Sequence, residues 1–166
     1  MIEVNAYGVA VTTPPGWESR IFRRPEHGEP ASMDVAGAAA PPGEKSYPVL
    51  HIATVPLPMD AADYGSDIVE ELGRDDALIV LKEFDPASAT SALFARKGMP
   101  RTLRVDEFDP NTLQRSLPGL AGYQAFFHER GRAFCLYVVL GSFRRRAWIV
   151  PRVNEVLATL TIEERP

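Results

Sequence analysis

The strongest pattern in the chain is the run GYQAFFHERGRAFCLYVVLG, where two alternating apolar stretches meet at Arg130-Gly131. With those two residues as the turn, Glu129 faces Arg132, Phe127 faces Phe134, Ala125 faces Leu136 and Tyr123 faces Val138. Apolar pairs then stack on one face of an antiparallel hairpin, and an ion pair closes its tip. A three-residue loop with Gly131 in the left-handed position would slip this register by one, and the apolar matching argues against it. The second half of the run is apolar on both faces (Phe134, Leu136, Val138, Leu140; Cys135, Tyr137, Val139), as expected of a central strand covered on both sides.

Elsewhere the pattern is shorter. Val9 and Val11 alternate with smaller or polar neighbours. Pro14-Pro15-Gly16 then turns the chain into Trp17, Ser19 and Ile21 alternating with Glu18, Arg20 and Phe22, which predicts an opening hairpin. Residues 49–57 (VLHIATVPL) predict a strand with Leu50, Ile52 and Thr54 on one face. Over 60–74 the period becomes helical: Ile68, Val69 and Leu72 form the stripe, while Asp67, Glu70 and Glu71 face water. Asp63 or Ser66 suits its start and Gly73 its end.

Residues 77–81 read as a buried strand, and 86–99 as a short helix or an irregular crossover. Residues 101–107 predict another strand. Asp109-Pro110 resembles an N-cap followed by proline, opening a helix of a turn or two that Pro118-Gly119 stops. Val153, Val156, Leu157 and Leu160 give a closing helix with Pro151 in its first turns, and 159–163 a terminal strand.

These elements predict an α+β fold with an antiparallel sheet, its two amphipathic helices taking a face each or sharing one. At 166 residues the chain is expected to be a single domain, 1–166, with its own core. The Gly-, Pro- and Ala-rich residues 25–48 are expected to form a long flexible loop.

Cys135 is the only cysteine, which excludes an intramolecular disulfide and the Cys₄ and Cys₂His₂ zinc sites. The N-terminus has no basic leader with an apolar run, and no window nears the ~20 apolar residues a membrane span needs. A cytoplasmic protein without membrane contact is the expectation. A net charge of −4 argues against nucleic acid as the main partner. The charge is uneven: residues 1–83 carry fourteen acids and six bases, residues 84–166 eight acids and twelve bases.

Catalytic chemistry finds little support. Cys135 sits mid-strand with no base or glycine elbow beside it and reads as a core cysteine. His27, His51 and His128 lack metal-ligand spacing, and no phosphate-binding glycine motif is present. Asp60, Asp63, Asp67, Glu70 and Glu71 read as a solvated helix face rather than a calcium loop. No catalytic, cofactor-binding or metal-binding residue is therefore assigned, and no cofactor is expected. Phe143-Arg144-Arg145-Arg146-Ala147-Trp148 stands out, because guanidinium groups beside aromatics suit carboxylate or phosphate capture and interface hot spots. The competing structural reading makes it a charged connection with Trp148 as a core anchor.

The order of elements resembles the PsbP-like superfamily, which includes the Ran-binding nuclear-import factor and bacterial lipoproteins. The resemblance rests on the early P-P-G-W turn, the long penultimate hairpin and the closing helix that runs into V-L-A-T-L-T-I. The segments A-L-F-A-R-K-G-M-P-R and C-L-Y-V-V-L-G-S are also similar to those of uncharacterised actinobacterial proteins. This resemblance implies an α-β-α sandwich, a twisted antiparallel sheet with helices on both faces, used mostly to bind other proteins. It transfers no catalytic residue.

The expected function is thus a non-enzymatic protein-binding or adaptor domain, with Arg144, Arg145, Arg146 and Trp148 as its partner-binding surface. The alternative is a small-molecule binder or enzyme, its pocket between sheet and helix lined by Tyr123, Tyr137, His128 and arginines. Single-stranded nucleic-acid binding ranks third, opposed by the overall acidity.

Overall fold

The computed structural model describes residues 1–24 and 45–166, so most of the expected 25–48 loop lies outside the described residues. Among the described residues, two antiparallel sheets and two α-helices make the fold α+β, as the pattern predicts.

Strand β1 (Ile2–Ala6) pairs with β2 (Val9–Thr13), and β2 pairs with the short terminal β8 (Thr161–Ile162). The larger sheet takes β3 (Glu18–Phe22), β4 (Val49–Ala53), β5 (Ala77–Phe84), β7 (Arg132–Leu140) and β6 (Ala121–Glu129) in that spatial order. The opening hairpin is therefore β1–β2. Pro14-Pro15-Gly16 instead carries the chain from one sheet to the other, and β3 pairs with β4.

The β6–β7 register is the one the apolar matching predicts, from Glu129 opposite Arg132 to Tyr123 opposite Val138. Arg130 (φ 52°) and Gly131 (φ 74°) both take the left-handed conformation of a two-residue hairpin turn. The tip ion pair does not form. Arg132 pairs with Glu83 on β5, while Glu129 accepts from Met99 N (3.0 Å) and faces Arg101 (3.6 Å).

All nine residues of β7 are buried, because both faces of the sheet are covered. On one face helix α2 (Arg146–Leu157) and the β1–β2 hairpin pack Ile149, Val153, Leu157, Val9 and Val11 onto Ile79, Leu136 and Val138. On the other, Val80, Cys135, Tyr137 and Val139 meet α1 (Ser66–Val69) and the partly buried Leu57, Tyr64, Leu113 and Leu117.

The helix expected over 60–74 shrinks to the single turn of α1. Asp63 and Ala61 spend their carbonyls on His51 Nε2 (2.7 Å) and Arg24 Nη2 (3.1 Å), and Gly65 stands at the helix start with φ 67°, so no helix runs through them. Residues 101–107 form no strand. The Asn154 side-chain amide of α2 takes both the N–H (2.8 Å) and the carbonyl (2.9 Å) of Leu103 in place of a neighbouring strand.

Asp109 does accept from Asn111 N (2.7 Å), yet its backbone exchanges two hydrogen bonds with Gly122, so a turn and not a helix follows. Residues 86–90, 92–94 and 105–107 are short 3₁₀ turns. α2 starts at Arg146, earlier than Pro151 suggests, and Pro151 is its sixth residue. The missing N–H leaves the Ala147 carbonyl unpaired within the helix, at an exposed residue where water can serve it.

Candidate functional site

The chain leaves β7 at Gly141, where an added Cβ would lie 1.8 Å from the Gly73 carbonyl oxygen. This close approach sets the start of α2 beside the turn at residues 73–76. Gly141 N donates to Asp76 O (2.8 Å), and Phe143 N to Gly119 O (2.7 Å). Ser142 Oγ accepts from Arg145 N (3.3 Å) and closes the turn into the helix.

The three consecutive arginines part company here. Arg145 Nε donates to Asp75 Oδ1 at 2.7 Å, and its guanidinium lies 5.9 Å from the Trp148 ring centroid. Arg146 folds back over Phe143, 4.0 Å from the ring centroid, and donates to the Phe143 carbonyl (2.9 Å). Arg144 is exposed and forms no ion pair among the described residues. Two cations at a helix N-terminus oppose the helix dipole. Asp75 offsets this by placing a carboxylate there, and its carbonyl also accepts from Arg152 (2.9 Å).

Trp148 is 58% exposed, on the outward face of α2 with Ala147 and Pro151, while Ile149 and Val150 point inward. The reading of Trp148 as a core anchor is therefore overturned. What remains is an exposed indole beside Arg145, with Arg144 exposed next to Arg145 in sequence and the exposed Arg74 across Asp75 (4.0 Å). Arg74 and Asp75 were not among the sequence candidates; the only signal for them is an acidic turn, R-D-D, that could answer a triple-arginine run.

A second polar cluster lies on the opposite face of the sheet. Asp63 is held between Arg24 and Lys82, each 3.0 Å away. Burial would raise its carboxyl pKa, but the two cations outweigh it and the net shift is downward. His51 is buried and donates from Nε2 to the Asp63 carbonyl. Its pKa is lowered, chiefly by burial.

Cys135 is buried beneath Tyr64 and Gln124, and desolvation pushes its thiol up, away from the reactive thiolate. Burial likewise raises the Tyr64 hydroxyl. With the Asp63 carboxylate ion-paired to Arg24 and Lys82 and its carbonyl held by His51, the cluster clasps residues 61–64 to the sheet.

The pocket expected between sheet and helix does not assemble. Tyr123 faces the α2 side of the sheet, whereas Tyr137 lies on the other. Tyr137 Oη accepts from Gln114 N (2.7 Å), and His128 Nδ1 bonds the Phe94 carbonyl (2.7 Å). His51 and His128 share no site: β5 and β7 lie between their strands, and their β5 register partners, Val80 and Phe84, are four residues apart. His27 lies outside the described residues. Among the described residues no group of His, Cys, Asp and Glu has metal-binding geometry, and no helix is long and apolar enough to cross a membrane. No family model, curated protein or solved structure matches the chain.

Proposed function

We propose that this chain is a non-catalytic protein-binding domain whose contact surface is the start of α2. The observation that carries this reading is Trp148, 58% exposed, with the Arg145 guanidinium 5.9 Å from its ring centroid and the exposed Arg144 next to Arg145 in sequence. A solvent-facing tryptophan costs apolar exposure that a partner can recover, and tryptophan and arginine are among the residues most enriched in interface hot spots. The cations select a partner segment with carboxylates beside an apolar anchor. The PsbP-like resemblance belongs to the same proposal. A five-stranded antiparallel sheet with α2 on one face supports it, and among the described residues the second face departs from it by carrying a single α-helical turn.

The test is affinity capture from the native lysate with two baits, the wild type and Arg144→Glu/Trp148→Ser. Arg145 and Arg146 are left intact because their internal contacts would confound the result. A partner held by the wild type and lost by the folded variant, with an acidic segment that competes as a peptide, supports the reading. Equal capture by both baits overturns it.

A further inference from the structure

Asp75 sits on a braced turn. Its carbonyl accepts from Arg152 Nη1 (2.9 Å). The next residue, Asp76, takes the Thr54 hydroxyl on Oδ1 (2.8 Å) and Gly73 N on Oδ2 (2.7 Å), and its carbonyl accepts from Gly141 N (2.8 Å). The Asp75 carboxylate is thereby a fixed acceptor, and the Arg145 guanidinium docks on it through Nε (2.7 Å). The Trp148 ring, 5.9 Å away, adds a cation–π contact that helps hold the same guanidinium.

This arrangement leaves the other edge of Arg145 open. Arg132, by contrast, spends all its N–H groups inside the protein. The Arg145 side chain is 41% exposed, and its Nη1 and Nη2 have no acceptor among the described residues. Those two nitrogens form the end-on fork that matches both oxygens of one carboxylate. Because the guanidinium is already held, a ligand closing on it loses less side-chain entropy than it would by ordering a free arginine.

The surrounding charge says what such a ligand carries. Residues 74–76 and 144–152 hold five arginines, Arg74, Arg144, Arg145, Arg146 and Arg152, against two carboxylates, Asp75 and Asp76. Asp76 is spent on the turn itself. An excess of fixed cations beside an exposed indole is complementary to carboxylates next to an apolar side chain.

We propose that Arg145 determines the specificity of this surface. Its Nη1/Nη2 edge takes one side-chain carboxylate of an acidic peptide segment, in bidentate form, while an apolar side chain of that segment covers the Trp148 ring. This rests on the protein-binding reading and gives that surface its partner class. Arg144, exposed and without an ion pair among the described residues, contributes charge and no fixed geometry.

Selection of short random peptides displayed on phage against the wild-type chain, followed by titration of the selected peptides, tests this. The selected peptides should carry glutamate or aspartate beside an apolar residue. Arg145→Lys keeps the charge and can still reach Asp75 but has no fork, so it should weaken these peptides about tenfold, the loss of one charge-assisted hydrogen bond. Arg144→Lys should change binding by less than about threefold, as expected of an exposed charge without fixed geometry. Glutamine in place of the peptide's acidic residue should weaken binding to the wild type and close the gap between it and Arg145→Lys. Thermal melts of both lysine variants should match the wild type. Peptides that need Trp148 yet bind Arg145→Lys as tightly as the wild type overturn the assignment and leave the protein-binding surface standing. So do peptides that need Trp148 and carry no acidic residue. Peptides indifferent to Trp148→Ser, or no selected peptide at all, overturn both.

Discussion

Arg132 and Glu83 form a bidentate ion pair with both side chains buried, Nε to Oε2 at 3.1 Å and Nη2 to Oε1 at 2.7 Å. The three remaining guanidinium hydrogens go to the carbonyls of Tyr7 (2.8 Å), Gly8 (3.3 Å) and Glu163 (2.9 Å). One side chain on β7 thus ties the first hairpin and the C-terminal segment to β5. Arg165 adds a second cation to Glu83.

Glu83→Ala strands the buried Arg132 charge, and Arg132→Ala orphans three carbonyls and leaves Glu83 to Arg165 alone, so each should cost about 3–5 kcal/mol in urea denaturation. An apolar pair often replaces a buried ion pair without loss. Here Glu83→Leu/Arg132→Met should not recover wild-type stability, because it orphans three carbonyls. Full recovery in the double variant would show that those backbone bonds contribute nothing.

The β6–β7 hairpin was legible because one register matches every apolar pair and its turn residues suit it. What failed was information held by distant side chains. Nothing local to 60–64 says that Arg24, His51 and Lys82 will claim Asp63 and the neighbouring carbonyls. Nothing local to Leu103 says that Asn154 will stand in for a strand. The alternation of β3 is real, but period two cannot say which strand it joins.

At the candidate site, Arg144 to Trp148 was named from the sequence, yet the phase of the helix was hidden by Pro151. Extending the Val153–Val156–Leu157 stripe backward puts Ile149 and Val150 inside and Trp148 outside. A proline read as a first-turn residue discourages that extension.

The same phase predicts that the interaction surface is not needed for folding. Trp148→Ser and Arg144→Glu should each change unfolding free energy by no more than about 0.5 kcal/mol, as substitutions at exposed sites without buried partners do. Leu157→Ala, on the inward face, should cost about 2–5 kcal/mol. Thermal melts of the three variants separate these outcomes, and a large loss with Trp148→Ser would mean that the indole packs inward.

Stability should fall with acid through His51. The unfolded histidine takes a proton near its ordinary value of 6.5, while the buried ring resists it, so the unfolded state binds more protons as pH falls below that value. The contribution is fully present above the unfolded value and is lost as pH falls toward the depressed folded one. His51→Gln keeps a donor near the Nε2 position without titrating. Between about pH 7.5 and about pH 5.5, roughly one unit either side of the free histidine value, the wild-type urea midpoint should drop more than that of the variant. Asp63 acts lower on the scale: its stabilisation is present above the ordinary carboxyl value of 3.8 and is lost as pH falls further.

Gly141 is a close-approach position. Its Cβ substitute would meet backbone, the Gly73 oxygen at 1.8 Å and the Asp76 oxygen at 3.2 Å, and not a side chain that could swing away. Gly141→Ala should therefore destabilise by more than about 3 kcal/mol, in the exceptional tail of single substitutions. It should also release α2 from the turn at residues 73–76. Gly16→Ala meets nothing within 4 Å but strains a backbone at φ 94°, so it should cost less, about 1–2 kcal/mol. Equal losses in the two would mean that the turn at residues 73–76 yields easily.

Cys135 gives a direct reading of the sheet's integrity. Its thiol is buried on the sheet face beneath Tyr64 and Gln124, and burial pushes its pKa up, so both access and thiolate fraction oppose alkylation. In native buffer it should react with iodoacetamide only through unfolding that lifts the layer holding Tyr64 off the sheet. Its rate should therefore track unfolding free energy across the variants above, fastest in Arg132→Ala and unchanged in Trp148→Ser. Rapid labelling of the wild type at a rate independent of stability would show instead that a path reaches the thiol through the folded protein. The clasp of Asp63, Lys82 and Tyr64 above it would then be an opening rather than a seal.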